Sequence, residues 1–153
     1  MSISLRPAQE SDFDFAFDTK REAIGPYVVA RWGWNHPSQL AIHRTRWTVR
    51  PWLIILDDMQ PIGTVSIAQA DDHIRFGEFY LLPKHQRKGI GSTILRSTLL
   101  SADAQGLCVK LEYLKWNPVG SLYKRHGFIV TGENDTHYFL VRPPFPHNLG
   151  LME

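Results

Sequence analysis

Residues 85–95, HQRKGIGSTIL, set two glycines one residue apart between a strand pattern and an amphipathic helix pattern. This stretch restricts the fold most, because it demands strand, tight turn and helix in immediate succession. The strand pattern is IRFGEFYLL, closed by Pro83, which lacks the N–H a ladder needs. The helix pattern runs from about Gly89 to Ala104, with Ile90, Ile94, Leu95, Thr98, Leu99 and Ala102 on one apolar stripe, and Gly106 ends it. A turn of this kind aims unpaired backbone N–H groups at one point, adds the positive end of the helix dipole, and lets a bulky anion approach over glycine. Phosphate is the natural guest. A P-loop fits less well, since Lys88 precedes the glycines, and Ile94 occupies the third glycine position of a dinucleotide fingerprint. Two glycines alone also fit an ordinary tight turn that needs them only for backbone angles.

The rest of the chain supplies the frame. ISLRPA reads as a short strand, and SDFDFAFDTKREAI as a helix reaching Gly25. Residues 26–47 carry a turn from Gly33 to Pro37 and then a second helix that Ser38 can cap, with His43, Arg44 and Arg46 on a basic face. PWLIILDD, the turn DMQP and IGTVSIAQA form a hairpin, which IRFGEFYLL extends into a meander. After the glycine turn and its helix come the strand LCVKLEYLKW, a short helix in NPVGSLYKRHG, and a closing hairpin of FIVTGE with HYFLVRP.

At 153 residues and 43% hydrophobic content the chain is expected to be one domain over 1–153, with a core at about 3–142 and an irregular tail at 143–153. Its 17 Lys and Arg barely exceed its 15 Asp and Glu, so bulk charge gives no nucleic-acid surface. Arg44, Arg46 and Arg50 beside Trp47 are expected to be a solvated helix edge. The lone Cys108, in an apolar segment expected to bury it, excludes an internal disulfide and a cysteine-rich zinc site. With no signal-peptide pattern and no apolar run of membrane-spanning length, a cytoplasmic protein is expected, without membrane or nucleic-acid partners.

Gln86-Arg87-Lys88-Gly89-Ile90-Gly91 matches the Q/R-x-x-G-x-G/A signature, and Asn117-Pro118-Val119-Gly120-Ser121-Leu122-Tyr123-Lys124-Arg125-His126-Gly127-Phe128 is similar to N-P-A-x-x-L-Y-x-x-x-G-F, with valine for alanine. Both belong to the GCN5-related N-acetyltransferases, and the chain resembles that family from residue 3 to residue 142. The resemblance implies a mixed α/β fold: a central, mostly antiparallel twisted sheet of about six or seven strands flanked by about four helices.

It also implies an acetyl-CoA site and no metal. The pyrophosphate would sit on backbone N–H groups from Arg87 through Lys88, Gly89, Ile90 and Gly91 to Ser92, next to Gln86. The pantetheine arm would pair with backbone near Leu81 where the fourth and fifth strands splay, with Asn117 bonding it from the other side. A backbone N–H near Leu82 would stabilise the oxyanion, and the Tyr123 hydroxyl would protonate the departing thiolate. An amine with a free pKa near 10.4 must lose a proton before it attacks. Glu78 is the candidate base, with strand parity and a bulge leaving its facing open. Glu112 is the rival, expected to face the other way because it alternates with Leu111 and Tyr113.

By the same resemblance the acceptor pocket is lined by the loop YVVARWGWNHPSQ, through Tyr27, Trp32 and Trp34; packing in the core or in a homodimer is the other reading of these rings. A subset of the family carries Gly-Trp-Asp there, whereas this chain has Gly33-Trp34-Asn35 and lacks that carboxylate. The implied activity is acetyl transfer to a primary amine of a small molecule, peptide or protein, by direct attack in a ternary complex. A non-catalytic acyl-CoA sensor or partner-binding module of the same fold is the alternative.

Overall fold

The computed structural model describes residues 2–145. Seven strands form the sheet: β1 (Ile3–Pro7), β2 (Trp52–Asp57), β3 (Gln60–Gln69), β4 (His73–Leu81), β5 (Cys108–Leu114), β6 (Ile129–Glu133) and β7 (His137–Arg142). Their order is β1-β2-β3-β4-β5-β7-β6, antiparallel in the β1–β2, β2–β3, β5–β7 and β6–β7 pairs and parallel in β4–β5. Four α-helices accompany it among the described residues: α1 (Phe13–Trp32), α2 (His36–Val49), α3 (Ile90–Gln105) and α4 (Gly120–Arg125). This is the expected mixed α/β fold with a mostly antiparallel sheet. Residues 143–145 are irregular, and the remainder of the expected tail, 146–153, lies outside the described residues.

The chain divides into two compact units. The first runs through Ile67 and resumes at Glu78–Lys88, so it holds β1, α1, α2, β2, most of β3 and the second half of β4. The second comprises Ala68–Gly77 and the chain from Gly89 onward, with the first half of β4, α3, β5, α4, β6 and β7.

In the first unit α1 buries Phe13, Ala16, Phe17, Lys20, Ile24 and Val28, a stripe at helical spacing. The helix continues to Trp32 with Pro26 inside it, seven residues beyond the expected end at Gly25. Proline removes one helical N–H, but its fixed φ is compatible with the helix, and Ile24 and Val28 bury on the same stripe either side of it. α2 starts at His36, ahead of the expected Ser38, because Asn35 is its cap: the Asn35 Oδ1 accepts from the Ser38 N–H at 3.0 Å, with Pro37 in the first turn. His43 is not on a basic surface face. It is buried among Phe13, Phe17, Trp47 and Trp52, with ring centroids 4.4–5.6 Å away.

In the second unit the six residues of the α3 stripe read from the sequence are the six that the helix buries. β5 alternates, with Val109, Leu111 and Tyr113 buried and Lys110 and Glu112 exposed. Gly120 opens α4 where any Cβ would collide with the Tyr113 hydroxyl, so only glycine fits under that ring.

Candidate active site

The glycine turn forms as a helix start. Gly89 is the N-cap of α3 at φ 81°, ψ 2°, and Arg87, two residues earlier, has φ 61°. A left-handed non-glycine residue is uncommon, and such residues concentrate at ligand-binding turns. No side chain caps the helix, and its first backbone bond runs from the Thr93 N–H to the Gly89 carbonyl at 3.1 Å. The N–H groups of Ile90, Gly91 and Ser92 therefore precede the ladder. Gln86, Arg87, Lys88 and Gly89 are exposed, and nothing lies within 4 Å of the place a Gly89 Cβ would take. The Gln86 side chain ties the turn back to β4 by donating to the Leu81 carbonyl at 3.0 Å.

β4 changes phase at Glu78. Ile74, Phe76 and Glu78 are buried in alternation, yet the next buried residue is Leu81, three positions on. Glu78 has φ 46°, which no regular strand contains, so it marks a bulge that resets the alternation. The Leu82 N–H donates to the Ile62 carbonyl of β3 at 2.9 Å. The oxyanion donor expected near Leu82 is therefore to be sought in a neighbouring backbone N–H. Successive backbone groups of a strand point to opposite edges, so the donor facing away from β3 is the N–H of Leu81. The parallel ladder of β4 with β5 consists of His73↔Cys108, Ile74↔Val109 and Arg75↔Lys110, all in the first half of β4.

Glu78 is not a solvated strand carboxylate; its side chain is 3% exposed. Arg50 of the α2 C-terminus pairs with its Oε1, Arg46 of α2 reaches the same oxygen at 3.7 Å, and the Thr64 hydroxyl donates to its backbone carbonyl at 2.9 Å. Oε2 is buried and has no hydrogen-bond partner. The expected solvated arginine edge is thus corrected in part. Arg50 and Arg46 turn inward to Glu78, while Arg44 stacks 3.7 Å over the Phe13 ring and pairs with Glu10. Lys20 of α1, which sequence reasoning did not single out, is buried in the same electrostatic neighbourhood; desolvation first, then Arg46, lowers its pKa to about 8, against the pull of Glu78. Burial likewise holds the His43 imidazole below its ordinary value, although its Nε2 lies 3.1 Å from the Phe13 carbonyl oxygen.

Tyr123 belongs to the second unit. It is buried beside Phe76, Tyr113 and Phe128, with ring centroids 5.7–6.4 Å away. Burial, and then the neighbouring Tyr113, push its phenol well above the ordinary value, so the proton stays on the oxygen. Asn117 uses Oδ1 to accept from the Val119 N–H at 3.1 Å, which fixes the turn into α4 and leaves the amide NH₂ as its donor. The rival Glu112 is exposed and lies 3.6 Å from Arg75.

In the loop expected to line an acceptor pocket, Tyr27 and Trp32 are exposed. Trp34 is half-buried against Phe17 at a centroid distance of 6.2 Å and against the Gly25 backbone, so it packs on α1. Cys108 is only half-buried, 3.7 Å from the Asp72 carbonyl, less covered than its neighbours implied. Among the described residues no group of three or more His, Cys, Asp or Glu side chains is placed to hold a metal, and no helix is long and apolar enough to cross a membrane.

The family model described as acetyltransferase (GNAT) domain matches residues 49–130. Among solved structures the chain is similar to the PaiA N-acetyltransferase of Thermoplasma acidophilum in complex with coenzyme A, with 19% identity, 94% of this chain and 99% of that one covered, and a TM-score of 0.73. An acetyltransferase of Thermus thermophilus gives 14% identity, coverage of 94% and 97%, and a TM-score of 0.72. The ribosomal-protein-S18-alanine N-acetyltransferase of Escherichia coli gives 14%, coverage of 93% and 94%, and 0.66. No sequence among curated proteins matches the chain.

Proposed function

The chain belongs to the acetyltransferase (GNAT) domain family, and on that premise we propose that it transfers an acetyl group from acetyl-CoA to a primary amine by direct attack, both substrates being bound together. The observation that carries this reading is the uncapped start of α3 behind the left-handed Gly89, open to a bulky anion. The pyrophosphate of acetyl-CoA fits it through the N–H groups of residues 87–92, with helix dipole and hydrogen bonds acting together. The Leu81 N–H and the Asn117 amide are the donors for the pantetheine arm and the reacting carbonyl.

Acetyl-CoA supplies the activated acyl carbon. The chain's residues manage the protons and charge. Glu78, held at Oε1 by Arg50, presents Oε2 to take a proton from the acceptor amine. The Leu81 N–H meets the negative charge that develops on the carbonyl oxygen. Tyr123, whose proton is held tightly by burial, acts as a donor to the departing sulfur and not as a base. The partner we propose is the amine itself, on a small molecule, peptide or protein, with neither nucleic acid nor membrane involved, in a reducing cytoplasm that suits the single Cys108.

The test is free-thiol release from acetyl-CoA over a panel of primary amines, with calorimetric titration of acetyl-CoA alongside. Saturable, acceptor-dependent release is expected. Tight acetyl-CoA binding without turnover on any amine would replace the enzyme by an acyl-CoA sensor.

A further inference from the structure

The neighbourhood of Glu78 holds more positive charge than the carboxylate can balance. Lys20, Arg46 and Arg50 stand around one acid, and His43, the remaining titratable neighbour, is driven toward its neutral form. Arg44, next along α2, is turned away to Glu10. Desolvating cations without a matching anion is costly, and the depressed Lys20 is where that cost shows.

Besides the buried, unpartnered Nδ1 of His43, this neighbourhood holds two unmet valences of opposite kind on one ion pair. Oε2 of Glu78 is buried with no donor. The Arg46 side chain is 35% exposed; its guanidinium lies 3.7 Å from Oε1, beyond hydrogen-bond length, and makes no side-chain hydrogen bond among the described residues. One group asks for an N–H donor and the other for an anion. Because Arg46 lies 3.7 Å from the other oxygen of the same carboxylate, the two demands are close together, and an α- or β-amino acid offers an amine and a carboxylate only a few bonds apart.

Resting on the acetyltransferase reading above, we propose that the acceptor is an amine that also carries a carboxylate, its amino group meeting Oε2 of Glu78 and its carboxylate meeting the guanidinium of Arg46. Arg50 then serves as the residue that fixes Glu78, and Arg46 as the one that selects. A planar guanidinium suits this task because it can grip a carboxylate with two parallel N–H bonds, which a lysine cannot do. Two classes of acceptor are disfavoured by the same charges: polyamines, which would add cations to a cationic neighbourhood, and lysine side chains within a protein, which bring no carboxylate near the amine.

The experiment uses matched pairs, free amino acids against their primary amides, which keep the amine and lose the carboxylate. The wild-type chain is expected to favour the free acids by at least about tenfold in kcat/KM, the scale of one charge-assisted contact. Arg46→Met should remove that preference by raising KM for the acids well beyond any change seen with the amides, and should keep acetyl-CoA affinity. Arg46→Lys should restore part of the preference, which a merely structural role would not produce. Equal use of acids and amides by the wild type, or equal loss of both in Arg46→Met, overturns the proposal and leaves the acetyltransferase reading standing. Absence of turnover with every amine despite acetyl-CoA binding takes down that reading, and this inference with it.

Discussion

Tyr123 shows how burial alone can assign a chemical role. Its phenol is surrounded by Phe76, Tyr113 and Phe128, and an anion there would have neither water nor a cation to stabilise it. Such a group stays protonated, so its O–H is available to donate to a sulfur that gains negative charge as it leaves a thioester. Tyr123→Phe keeps the ring and removes the proton donor. Steady-state turnover of that variant is expected to fall about 10²-fold, toward the lower end for general acid help, because a thiol is itself a fair leaving group. Acetyl-CoA affinity, measured by calorimetry, should be retained. Undiminished turnover in the folded variant would pass the role to water.

Among the elements, the turn into α3 makes the sharpest claim, that backbone and not side chain holds the phosphates. A Cβ at position 89 would meet no neighbour within 4 Å, so the backbone cost of Gly89→Val lies in the left-handed φ of 81°. That conformation costs a β-branched residue on the order of 1–2 kcal/mol, about tenfold in affinity if the turn relaxes away from it. Calorimetric titration with acetyl-CoA should show Gly89→Val weakened more than Arg87→Ala or Lys88→Ala; the reverse order would make the basic side chains the anchors. This turn and the α3 stripe were readable in the sequence because their information is local, within one or two helical turns. Other features were not. The bulge at Glu78 was open to suspicion in the sequence, but which way it turns the carboxylate is a matter of backbone geometry that residue types do not settle. Arg50 meets Glu78 across 28 positions and His43 meets Phe13 across 30, so a helix edge that reads as solvated became part of a buried neighbourhood. The helix end expected at Gly25 gave way in the same manner, because packing of Ile24 and Val28 on either side of Pro26 outweighs the local signal.

The buried Lys20 reaches the stability of the whole molecule. Its folded pKa of about 8 lies below the 10.5 of an unfolded chain, so between those values the unfolded state binds more protons. Stability must then rise with pH through that window, whereas below about pH 8 both states are charged and the penalty of burial is fully present. Lys20→Met should flatten this contribution: melting temperatures of variant and wild type should differ most at pH 7 and converge toward pH 10. A gap independent of pH would mean that folding leaves the Lys20 pKa unchanged, so that burial does not depress it. The division of the chain into two units carries a consequence of another sort. The polypeptide passes from one to the other after Ile67, after Gly77 and after Lys88, so neither unit is an uninterrupted stretch of sequence. No truncation from either end can yield one of them intact, and a cut between Lys88 and Gly89 leaves an N-terminal piece that still carries Ala68–Gly77 of the other unit. Whatever ancestry or engineering rearranges this protein has to treat it as interlaced text, which cannot be shortened by a half and still be read.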